Sequence, residues 1–88
     1  MTLDEDALPC DFLLDGAAQM IDSARTAEAK WQRRNLELAE ETLRAAYDEW
    51  KRLHNRYPEA EARLEPLARR AQILAGAITA MGVPVKLA

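Results

Sequence analysis

Apolar residues recur along this chain at helical spacing, and two stretches of that pattern dominate it. Leu36, Leu43, Trp50 and Tyr57 stand seven residues apart, with Ala39, Ala46 and Leu53 interleaved three positions further on. An α-helix completes a turn in about 3.6 residues, so such rows share one face and form an a/d seam of about three heptads. Alanine at two d positions lets a facing helix come close, while Trp50 and Tyr57 thicken the far end. In the second stretch Leu64, Leu67, Ala71, Leu74, Ile78 and Met81 step by three and four residues. Pro58 suits the first turn of that helix, where a missing N–H costs nothing. Gly82, Val83 and Pro84 supply a left-handed end, an apolar contact and a block to continuation. Pro66 lies inside the pattern and predicts a kink, or a true helix start near Glu65.

Upstream the stripe changes phase. Ala17, Met20, Ala24, Ala27 and Trp31 keep heptad spacing among themselves but lie on a different face from the Leu36 series, with Gln32 to Asn35 between the two sets. Either the helix breaks there or one long helix presents two faces. Neither glycine nor proline occurs between Gly16 and Pro58, and the run is rich in Ala, Leu, Glu and Arg, which favours continuity. The prediction is an all-α, coiled-coil-like antiparallel helical hairpin. It has helices over about 16–57 and about 59–81, an acidic N-terminal arm or short helix over 1–15, and a tail over 83–88.

A two-helix hairpin has one core layer, and its open flanks need covering. The Asp11 to Trp31 segment folding back, a second copy, or another protein would each do so. A domain of 88 residues buries only about 60 to 65% of its unfolded surface, so completion by dimerisation or a partner is expected. Four acid-to-base pairs at i, i+4 support solvated helices: Glu40 with Arg44, Asp48 with Arg52, Glu59 with Arg63, and Glu65 with Arg69.

Charge sharpens this picture. The net charge is −3, yet Met1 to Ala24 carries Asp4, Glu5, Asp6, Asp11, Asp15 and Asp22 without a base, leaving the remainder at +3. An acidic leader favours helix N-termini and solubility, or docks on a basic surface. Apolar types make up 49% of the chain and charged types 31%, which is a folding composition. Cys10 stands alone, so neither an intrachain disulfide nor a cysteine-based zinc site is expected, and a reducing, cytoplasmic setting fits. The start is acidic where a secretory signal would be basic and then apolar, and Ile73 to Val83 is too short for a membrane span.

Candidate chemistry is sparse. His54 is the one histidine, far in sequence from Cys10 and without i, i+3 or i, i+4 acids to complete a metal site. Three scattered glycines make no phosphate cradle. No catalytic, cofactor or metal residues are therefore expected. Basic pairs at Arg33 and Arg34, Lys51 and Arg52, and Arg69 and Arg70 mostly have acids within a turn, so nucleic acid is a poor match as partner. What remains is a non-catalytic interaction protein acting by stoichiometric binding, as an adaptor, small chaperone or inhibitor; anti-CRISPR proteins are one kind of inhibitor of this size. The alternative is a small nucleic-acid-associated regulator dimerising through the hairpin. The candidate partner-binding residues are Trp31 with Arg33 and Arg34, the apolar Phe12 and Leu13, and the acidic Asp4, Glu5 and Asp6.

Overall fold

The computed structural model describes residues 2–87 and is all-α. A single turn, α1 (Leu3–Asp6), leads into α2 (Leu8–Thr26); α3 (Ala29–Arg56) follows, then a 3-10 turn over Pro58–Ala60 and α4 (Glu61–Ala80). The longest dimension, 44 Å, matches the roughly 42 Å expected of the 28 residues of α3 at about 1.5 Å each. Cross-helix contacts define the directions. Gln32 reaches Ala24, Thr42 reaches Met20, and Cys10 reaches Ala46, so α2 and α3 run antiparallel. Asp4 of α1 pairs with Arg63 and Asp15 of α2 with Arg70, so α2 and α4 run the same way, both antiparallel to α3 and in contact with each other.

The expected continuous helix over 16–57 is corrected: the chain leaves helical geometry at Ala27 and Glu28, whose ψ angles are 154° and 153°. The phase change explains it. Ala24 and Leu36 end and begin the two buried stripes, and twelve residues place them about 120° apart on an unbroken helix. Reversal at Ala27 lets Cys10, Leu14, Ala17, Ile21 and Ala24 face Leu36, Ala39, Leu43, Ala46 and Leu53. Each large side chain so buried gains about 1.5 to 3 kcal/mol, against about 1 kcal/mol for each helical hydrogen bond given up. Gln32 Nε2 also donates to the Ala24 carbonyl at 3.1 Å, capping the end of α2.

Residues 2–15 do not form a separate arm. Thr2 caps α1 by accepting from the Glu5 N–H at 3.2 Å, Ala7 joins the two helices, and Cys10 and Leu14 are core residues of α2. Gly16 lies within this helix, not at its start. Its neighbour across the interface is Thr42, close to ordinary contact distance from where a β-carbon would stand.

Helix α4 begins at Glu61 and continues through Pro66, so of the two readings of that proline the helix start near Glu65 is excluded, and the helix lies within the expected span of about 59–81. Proline removes the N–H that would bond to the carbonyl of Ala62, but Ala62 is exposed and water can serve that oxygen. At the far end Gly82 adopts φ 105°, the Val83 N–H returns to the Ile78 carbonyl at 3.3 Å, and Val83 is buried. Among the described residues no helix is long and apolar enough to cross a membrane.

Candidate functional site

Most of the charge on this molecule is matched internally. Asp6, whose side chain is 8% exposed, accepts from Arg52 at 3.1 Å and from the Tyr57 hydroxyl at 3.2 Å, and forms an ion pair with Arg56 at 3.1 Å. This fastens α1 to the basic C-terminal turn of α3. Asp4 pairs with Arg63 and Asp15 with Arg70, both at 2.6 Å. The acidic leader thus lies on basic residues of its own chain. Two of the four expected i, i+4 pairs form, Glu40 with Arg44 at 2.9 Å and Glu65 with Arg69 at 2.5 Å. The other two give way to other partners: Arg52 serves Glu49 one turn earlier on α3 and Asp6 across the fold, and Arg63 serves Asp4 of α1.

The Arg52 guanidinium holds the Asp6 carboxyl below its ordinary 3.8, with help from the Tyr57 hydroxyl and the charge of Arg56 and against the opposing effect of burial. A carboxylate with a lowered folded-state pKa stabilises fully above its unfolded value and loses that contribution as pH falls through the folded value. Thermal stability should therefore decline once pH drops below about 4. Asp6→Asn should lower the midpoint at neutral pH and flatten that acid decline. An unchanged acid limb in the variant would show that Asp6 is not the clasp.

Cys10 is buried, its thiol donates to the Ala46 carbonyl at 3.4 Å, and burial pushes it up to about 11. At that value it packs as a small hydrophobe, not as a thiolate. The approach to backbone is possible because Ala46 has little side chain. His54 stands one turn from Trp50, ring centroids 5.1 Å apart, with Nε2 4.0 Å from Glu61. Trp50 in turn stacks on Tyr47 and donates from Nε1 to the Leu64 carbonyl at 2.9 Å, joining α3 to α4.

The candidate binding residues do not converge on one patch. Glu5 is exposed and caps α1 with Thr2, whereas Asp4 and Asp6 make the intramolecular pairs described above. Leu13 is half-buried against the core, and Phe12 is 68% exposed on the outer face of α2, one turn from exposed Leu8. Trp31 is 56% exposed in the first turn of α3, with the Lys30 ammonium 5.4 Å from its ring. Arg33 pairs with Glu37 at 3.2 Å. Arg34 differs: of nine arginines it alone makes no ion pair among the described residues.

Two further residues extend the surface of Trp31. Leu38 and Ala45 follow it at seven-residue intervals on α3, and both are exposed. Thr42, one turn beyond Leu38, donates to Met20 Sδ at 3.6 Å, so this stripe runs along the flank of α3 that borders α2. The Leu36 seam draws the eye to the opposite face, and the heptad offset from Trp31 is the signal that finds Leu38 and Ala45. Comparison of the chain with family models, curated proteins and solved structures finds no match.

Proposed function

We propose that this chain is a non-catalytic protein-interaction module, an adaptor, small chaperone or inhibitor, that acts by stoichiometric binding through the Trp31 flank of α3. One observation carries the reading. Trp31, Leu38 and Ala45 form an exposed apolar row beside Arg34, which makes no ion pair among the described residues, whereas the other arginines are engaged by carboxylates. Tryptophan and arginine are the side chains that most often anchor interfaces, and exposed apolar side chains aligned along one helix flank offer a docking stripe. In this reading α3 and α4 act as the hairpin, α2 closes one side of it, and association covers the flank that remains. A reducing compartment would suit the lone thiol.

The nucleic-acid alternative draws little support, since arginines already paired with acids leave no continuous positive footprint. The test pairs two exposed apolar residues. Trp31→Ala and Ile73→Ala, the latter on α4 and 65% exposed, should both fold with near-parental midpoints. Only Trp31→Ala should abolish stoichiometric binding to the immobilised chain. Binding that survives Trp31→Ala overturns the proposal, and steeply salt-dependent binding to generic duplex DNA would replace it with the alternative.

A further inference from the structure

The flank of α3 that carries Trp31 is complementary to itself. Leu38 stands midway between a large ring, Trp31, and a methyl group, Ala45. At about 100° per residue, the rim beside this row and away from α2 carries Lys30 and Arg34 before Leu38 and Glu41 and Asp48 after it. The same rim also holds Glu37, paired with Arg33, and Arg52, paired with Glu49 and Asp6, while Asp48 pairs with Lys51 at 3.5 Å; the charges left without an ion pair among the described residues are positive before the midpoint, at Lys30 and Arg34, and negative after it, at Glu41. Arg34 and Glu41 are exposed and make no ion pair among the described residues.

We infer that the occupant of this flank is a second copy of the chain, packed α3 against α3 in antiparallel about a twofold axis at Leu38. The inference rests on reading this flank as the interaction surface and names its partner. Such an axis sets positions equally distant from Leu38 opposite one another. Trp31 then covers Ala45 of the second copy, a ring on a methyl, and Leu38 meets Leu38. Arg34 comes within a residue's reach of Glu41 of the second copy, and Lys30 approaches Asp48. Each contact occurs twice, as an isologous interface requires. A parallel pairing would instead set Trp31 against Trp31 and turn the Arg34 and Glu41 rim of one copy toward the α2 side of the other, leaving these charges unmatched. The axis also keeps both α2 helices on one side, where Met20 and Gly16 border the row, so four helices close around the joint. An unrelated partner would not require this antisymmetry of size and charge about one residue.

The test uses the full chain in sedimentation velocity from micromolar to millimolar concentration. The parental chain should dimerise reversibly. Arg34→Glu and Glu41→Arg each place like charges across the joint twice, and each should weaken the dimer by about tenfold or more while leaving the thermal midpoint in place. An equimolar mixture of the two variants regenerates both unlike pairs in the heterodimer and should restore association. A parental chain that stays monomeric, or a dimer indifferent to both substitutions, overturns the inference. The two failures are separable. A monomer that still binds another protein only when Trp31 is present loses the second copy but keeps the interaction surface; a chain in which Trp31→Ala alters neither mass nor binding loses both.

Discussion

Replacing Trp50 by alanine is expected to cost about 3 to 5 kcal/mol of folding stability, the range for removing a large aromatic from a packed site. The ring stacks on Tyr47 at 5.4 Å and its Nε1 is the polar bridge from α3 to α4 through the Leu64 carbonyl. Without it the joint near the Pro58 turn loses both packing and a hydrogen bond, and the Leu64 oxygen loses that donor. For a domain of this size each kcal/mol moves the midpoint by about 4 to 8 °C, so the melt should shift by roughly 12 to 40 °C. Trp50→Phe should fall between, keeping the ring and losing the donor. Trp31→Ala removes the same side chain 19 positions earlier and should leave the melt nearly unmoved, because that ring is solvent-exposed. Equal melting curves for the two alanine variants would contradict this assignment of core and surface.

Leu43→Ala should be comparably severe, at about 2 to 5 kcal/mol. Leu43 is fully buried at the centre of α3, and its seam neighbours Ala39 and Ala46 are also buried. Alanines offer no long side chain to collapse into the space left behind, which favours the upper part of that range. Urea unfolding should show a lower midpoint with an unchanged slope, since the surface exposed on unfolding is nearly the same. Leu38→Ala, one face away, should cost well under half as much. If the two leucines cost the same, the register of α3 is rotated from the one described here.

Where the sequence was legible, periodicity and turn chemistry carried the information. Every member of the Leu36 seam is buried or half-buried, and α4 ends on a glycine whose positive φ and following buried Val83 match the Gly–Val–Pro signal. The N-terminal third was harder to read for two physical reasons. Gly16 reads as punctuation, yet a helix-interior glycine costs only about 1 kcal/mol relative to alanine, and the burial of Leu14 and Ile21 outweighs that. Ignoring that glycine exposes a stripe from Cys10 through Leu14, Ala17, Ile21 and Ala24 at steps of four and three. The break at Ala27 carries no proline, glycine or side-chain N-cap, and only the phase shift between stripes records it. Long-range ion pairs were unreadable as pairs. The −6 of the leader was visible, but which arginine each acid meets depends on α1 folding against the end of α3.

This distribution shapes the functional reading. Asp4, Asp6 and Asp15 of the acidic leader are engaged by arginines of the same chain, while Trp31 and Arg34, adjacent to a phase change in the sequence, face solvent on one helix. Leu8, beside exposed Phe12, borders a groove with Asp4, Asp11, Arg63 and Leu67 in which Arg63 already pairs with Asp4, and Ile73 on α4 stands isolated.

The central claim, that the α3 flank is the binding surface, is tested most directly by mapping backbone amide chemical shifts as the concentration of the full chain rises from micromolar to millimolar. Shifts gathered on Trp31, Arg34, Leu38, Glu41 and Ala45, with weaker changes at Gly16 and Met20 of α2, are the predicted result. Shifts centred on Leu8 and Phe12 or on Ile73, or none at any concentration, would contradict it.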